Sequence, residues 1–129
     1  MYLIDSDRVV DYLNGIQDAI ELLNALAPDG LAISVLTYGE VLDGVYYGRD
    51  PVRSEAIFGR FLRIVEILPV SLRVSELFAR LRGDLRHRGQ AVGDIDLLIA
   101  ATAIVGQRIL VTGNRRHFDR VPGLVLHNE

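Results

Sequence analysis

A chain of 129 residues, half of them hydrophobic, is long enough for one α/β domain with a substantial core and short for two. It has no cysteine, which excludes disulfides, zinc–thiolate sites and thiol nucleophiles. It also has no lysine, all fourteen basic residues being arginine, which excludes chemistry that needs an amine. The net charge of −3 conceals a polarity: residues 1–50 carry nine acids against Arg8 and Arg49 (−7), whereas residues 51–129 carry eight acids against twelve arginines (+4).

Met1 runs into the apolar "YLI" without a basic leader, and the longest apolar stretch, near 97–105, is far below a membrane span, so a cytoplasmic protein with no membrane partner is expected. "YLID" (2–5) reads as a short buried strand. A helical stretch follows through "VVDYL" and "AIELLNAL" and ends at Pro28 and "DG". "LAIS" (31–34) repeats the strand signature, and Thr37 is placed to cap the helix "YGEVLDGVYYG". Asp50-Pro51 opens another helix, with Ile57, Phe58, Phe61, Leu62 and Val65 on one face. "EILPV" is strand-like. From Ser71 to Gly89, Val74, Leu77, Phe78, Leu81 and Leu85 make one helical stripe, with Arg73, Arg80 and Arg88 opposite. "GDIDLLIAATAIVG" is a helix with little polar surface. "RILVT" and "GLVLH" then read as strands separated by the turn "GNRRHF".

Strands alternating with helices imply a three-layer α/β sandwich, a mostly parallel sheet with helices on both faces, and ligands bind such sheets beyond the carboxyl ends of the strands. Asp5 closes the first strand. Glu40 lies in the first turn or so of the helix after the second, Asp96 in the first turn of the helix before "RILVT", and "TGN" (112–114) leaves the end of that strand. A parallel sheet brings Asp5, Glu40, Asp96 and Asn114 to one edge. Three carboxylates without cysteine or well-spaced histidines suit a hard cation, Mg²⁺ or Mn²⁺, which keeps several waters and takes phosphate oxygens as further ligands.

Each acid alone has a structural explanation, since Asp94 can be a helix N-cap and first-turn acids favour the helix macrodipole. If Asp94 caps, Asp96 remains free to point out of the helix end as the ligand, with Asp94 as its support. Ser6, Thr112 and Asn114 are the other auxiliary candidates. His87, His117 and His127 are scattered and read as surface or packing residues. Tyr38, Tyr46 and Tyr47 read as contacts to a partner chain rather than stacking platforms for bases.

Together, "YLIDSDRVVDYL", "ISVLTYGEVLDGVYYG" and "GDIDLLIAATAIVGQRILVTGNRRHFDRVPGL" resemble PIN-domain proteins, specifically VapC-type toxin ribonucleases of type II toxin–antitoxin systems. The resemblance covers nearly the full chain. It implies a single PIN-like nuclease domain over residues 1–129, endonucleolytic RNA cleavage, a cognate antitoxin and a homodimer. By position, Asp5, Glu40 and Asp96 match the three acidic metal-site residues of such toxins. Asn114 stands where many PIN nucleases have a fourth acid; an amide donates oxygen but no charge, which favours one protein-held ion with another arriving with substrate. Arg115 and Arg116, beside Asn114, are the candidates for RNA phosphate contacts, offsetting an acid cleft that would otherwise repel RNA. The antitoxin is expected to set a basic side chain against the carboxylates and an apolar segment along a groove carrying Tyr46 and Tyr47.

Two rival readings exist. "DSDRVV" (5–10) also fits the opening of haloacid-dehalogenase-like phosphatases, with Asp5 as nucleophile and Asp7 as acid/base, but the chain is short for that fold and lacks the lysine commonly used there. Alternatively, a non-catalytic PIN-like binding module could use the acid cleft to dock an arginine-bearing partner.

Overall fold

Strands that are apolar on both faces need helices on both sides. In the computed structural model, which describes residues 1–128, four parallel strands form one sheet in the order β3-β2-β1-β4: β1 (Tyr2–Ile4), β2 (Leu31–Ser34), β3 (Val65–Leu68) and β4 (Ile109–Val111). Ile4, Leu31, Ile33 and Val111 pack on one side under α1 (Ser6–Leu13), α2 (Gln17–Leu26), α3 (Val35–Tyr46) and α4 (Pro51–Leu62). Leu3, Ala32 and Leu110, the alternate residues, pack on the other under α5 (Leu72–His87), α6 (Asp94–Val105) and the short α7 (Arg115–Phe118). The three-layer α/β sandwich read from the sequence is the observed architecture.

Sheet order positions the site. The chain leaves β1 through helices on one face and enters β4 from a helix on the other, so the carboxyl ends of adjacent β1 and β4 flank a crevice where the winding reverses. Helix α6 leads into β4. Leu97, Ile99, Ala100, Ala101, Thr102 and Ala103 are all buried, as expected of a helix that is apolar nearly all round, and the Thr102 hydroxyl is satisfied by donating to the Leu98 carbonyl (2.7 Å).

Several local expectations are corrected. The stretch expected as one helix after β1 is two, broken at Gly15, whose φ of 77° lies in the left-handed region open to glycine just past a helix end. Ser34, not Thr37, caps α3: the helix starts directly off β2, so the last strand residue accepts the Leu36 N–H (3.1 Å). Val65 belongs to β3 rather than the preceding helix, and "GNRRHF" contains α7. "GLVLH" is not a strand but a single bridge, Leu110 to Leu126. β4 has only three residues, and Ile109 and Val111 turn their backbone groups toward β1 (Ile109 N–H to Met1, Asp5 N–H to Val111). Leu110 alone is left to pair outward, with Val125 and His127.

Candidate active site

β1 delivers its buried apolar residues straight into Asp5, which is 5% exposed. The Asp5 backbone N–H donates to the Val111 carbonyl (2.9 Å), tying the end of β1 to the end of β4. Its carboxylate accepts twice: Oδ1 from the Ser6 N–H (2.8 Å) and Oδ2 from the buried Thr112 hydroxyl (2.8 Å). Burial pushes the Asp5 carboxyl up to about 6. The Thr112 hydroxyl and Ser6 amide pull the other way, while the charges of Asp7 and Asp96 push with burial. A desolvated carboxylate facing two others is a site that a cation would relieve.

Of the auxiliary residues, Ser6 and Thr112 each meet a carboxylate. The Ser6 hydroxyl donates to Glu40 Oε1 (2.6 Å) and lies 3.0 Å from the hydroxyl of Thr37, which is fully buried in α3. Glu40 stands in the second turn of α3, exposed but held by that bond. Asp96, 31% exposed, has its Oδ2 3.0 Å from Nδ1 of His117 on α7. The Asn114 N–H donates to the Thr112 hydroxyl oxygen (3.0 Å), closing the turn after β4.

Asp94 is not the cap of α6. Gly93 occupies that position, and Asp94, first in the helix, accepts from Arg82 Nε of α5 at 2.9 Å. A guanidinium on the neighbouring helix outcompetes the backbone amides for it, because a charged donor makes the stronger bond. The division between the two acids survives in another form: Asp94 faces α5 while Asp96 faces α7 and lies close enough to Asp5 to raise its pKa. His117, expected as surface or packing, lies at the surface and also contacts Asp96. Its position three residues past Asn114, on the segment leaving β4, was the signal available. Thr37 meets the Ser6 hydroxyl instead of capping, and nothing local in the sequence marks Arg82, whose partner lies on another helix.

Asp7 is committed to backbone donors, Oδ1 accepting from Arg8 N–H (2.8 Å) and Oδ2 from Gly113 N–H (2.9 Å). That leaves it poorly disposed to shuttle protons, which weighs against the phosphatase reading. Arg115 is partly engaged too, its guanidinium donating to the His127 carbonyl (2.6 Å), so of the two candidate phosphate contacts Arg116 is the less constrained.

Among the described residues, no three Asp, Glu or His side chains are disposed, as they stand, to hold a metal ion between them. Mg²⁺ does not require such a cage, since it is commonly held by one or two carboxylates with waters and substrate phosphate completing an octahedron. The donor set of Asp5 and Asp96, with Glu40 at the rim, is all oxygen and fits that chemistry.

A family model described as "PIN domain" matches residues 2–124. Ribonuclease VapC2 of Rickettsia felis is 32% identical over 130 aligned positions, covering 99% of this chain and 97% of the relative. Among solved structures, the fold matches VapBC2 from Rickettsia felis bound to a DNA fragment from their promoter with a TM-score of 0.91, at 30% identity and 99% and 98% coverage of the two chains. It matches a toxin-antitoxin complex from Klebsiella pneumoniae with a TM-score of 0.80, at 27% identity and 100% and 99% coverage.

Proposed function

The chain belongs to the PIN-domain family, and from that premise we propose that it is an endoribonuclease, the toxin of a toxin–antitoxin pair, dependent on Mg²⁺ or Mn²⁺ held by Asp5, Asp96 and Glu40. The observation that carries this reading is Asp5: a carboxylate 5% exposed, at the crevice between β1 and β4, with Asp7 and Asp96 repelling it. A fold keeps such a group when something positive completes it in the working state.

Asp5 and Asp96, with Glu40 at the rim, would hold a divalent ion whose chemistry, when bound, would be to offset negative charge on phosphate and lower the pKa of water. The chain's own residues set the geometry. Ser6 N–H and the Thr112 hydroxyl fix both Asp5 oxygens, so the carboxylate meets its ligand in one orientation. The Ser6 hydroxyl holds Glu40 at the rim, and His117 holds one oxygen of Asp96. Arg116, and Arg115 once released from His127, attract the RNA backbone against the negative cleft.

The antitoxin is proposed to set an arginine against these carboxylates and lay an apolar segment in a groove of about 420 Å³ lined by Val10, Leu13, Val41, Val45 and Ile57. Tyr46 and Tyr47 do not line that groove. They are 56% and 85% exposed on the last turn of α3 and just past it, and are better placed for a second contact. Among the described residues no helix is long and apolar enough to cross a membrane. A single-domain toxin acting in the cytoplasm as a homodimer completes the proposal.

The test is cleavage of RNA by the purified chain with Mg²⁺, with chelator, and in the Asp5→Asn variant, followed by sequencing of RNA 5′ ends after induction without the partner. Metal-dependent cuts absent from the variant support the nuclease. A pure, folded, metal-loaded protein that cuts nothing leaves the binding-module reading in its place.

A further inference from the structure

Two hydrogen bonds among the described residues tie the turn after β4 to the start of α1. In one, the Thr112 hydroxyl donates to Asp5 Oδ2. In the other, Gly113 N–H donates to Asp7 Oδ2 at 2.9 Å, an approach so close that a Cβ built on Gly113 would stand 2.6 Å from the same oxygen. Only glycine fits there without displacing Asp7. The second Asp7 oxygen accepts from Arg8 N–H, which fixes the carboxylate against the first turn of α1. Gly113 and Asn114 are otherwise exposed, so little packing holds this turn.

We propose that Asp7 is a positioning residue: by clamping Gly113 it sets the Thr112–Asn114 turn, so that the Thr112 hydroxyl holds Asp5 in the orientation its ligand needs. This rests on the nuclease reading above. Asp7 bonds backbone, not substrate, and acts through Thr112. The Gly113 contact needs an acceptor oxygen and not a charge, so Asp7→Asn, whose single amide oxygen can face Gly113, keeps that contact while giving up the Arg8 N–H bond, whereas Asp7→Ala abolishes it. Gly113→Ala attacks the same clamp from the other side.

Mn²⁺ affinity measured by calorimetry on the full chain, with kcat and KM for RNA cleavage and thermal melts, tests this. Asp7→Ala should weaken Mn²⁺ binding about tenfold or more, the usual cost of losing a partner of a metal ligand, and lower kcat with little change in KM. Asp7→Asn, which retains the oxygen that meets Gly113, should recover most of both. Gly113→Ala should resemble Asp7→Ala, and the double variant should be no worse than either single one. Wild-type Mn²⁺ affinity and kcat in folded Asp7→Ala or Gly113→Ala would overturn the proposal. So would an Asp7→Asn as inactive as Asp7→Ala, since an acceptor oxygen facing Gly113 would then not be what the site requires of Asp7. Failure of the nuclease reading is distinguishable, because the wild-type protein itself would then not cut RNA.

Discussion

Asp5 is the residue on which most of the chemistry depends, and its protonation has a sign that can be measured. Its carboxyl lies at about 6 against an ordinary 3.8, raised first by burial and then by Asp7 and Asp96. The folded apo protein therefore binds this proton more tightly than the unfolded chain. The resulting stability is present in full below pH 3.8 and lost as pH rises through about 6. At about 1.4 kcal/mol per unit the change is about 3 kcal/mol. With chelator, the wild-type Tm should fall between pH 4 and 7, and Asp5→Asn should flatten that fall; parallel curves for the two proteins would show that Asp5 is not strained. For activity, Asp5→Asn, Glu40→Gln and Asp96→Asn should each remove most cleavage and combine non-additively, as residues of one unit do. Asp94→Asn should cost less, because its partner is Arg82. Equal loss at Asp94 and Asp96 in folded variants would reverse the roles given to them.

Among the elements, α3 and α6 fix two carboxylates by different means, and each has its own test. α6 is held by burial: Leu97, fully buried one residue past Asp96, anchors the first turn against the core. Leu97→Ala should cost about 2–5 kcal/mol in urea unfolding, and cleavage should fall even in the folded fraction, because the Asp96 turn loses its seat. α3 is held at its start by the Ser34 cap, with Glu40 a turn further on and separately bonded to Ser6. Ser34→Ala should therefore cost about 0.5–2 kcal/mol of stability with little loss of cleavage well below Tm. A large catalytic defect there would mean that the cap, not Ser6, positions Glu40.

The whole molecule is electrically divided, and the division predicts how it responds to salt and metal. Replacing Arg115 and Arg116 with Ala should weaken RNA binding and reduce the log–log salt slope by about 1–2, one phosphate contact per arginine. An unchanged slope takes both off the binding surface. Mg²⁺ or Mn²⁺ at a hundred times its dissociation constant should stabilise the fold by about 2.7 kcal/mol if only the native state binds it. Asp96→Asn should melt above wild type in chelator, where one charge of the repelling group is gone, and below it in saturating Mn²⁺. A metal-independent loss of stability would instead assign Asp96 to helix stabilisation alone.

Alternating strand and helix patterns, both apolar faces of the strands, and the placement of Asp5, Glu40, Asp96 and Asn114 on strand ends and first helical turns at one edge of a parallel sheet were legible in the sequence, because hydrophobic period and parallel topology are local signals with a global consequence. The break at Gly15 is missed and the cap of α3 is displaced from Ser34 to Thr37, although both lay within reach of the same signals, since element boundaries depend on turn geometry that several nearby residues satisfy. Which donor each carboxylate meets was not legible. Arg82 finding Asp94, His117 finding Asp96 and Gly113 finding Asp7 join residues 12, 21 and 106 positions apart. A hydrogen bond is selected by distance and direction to within a few tenths of an ångström, and no spacing along the chain encodes that. Tertiary packing decided it: α5 against α6 brings Arg82 to Asp94, α7 against α6 brings His117 to Asp96, and the adjacency of β1 and β4 lays the turn after β4 against the start of α1.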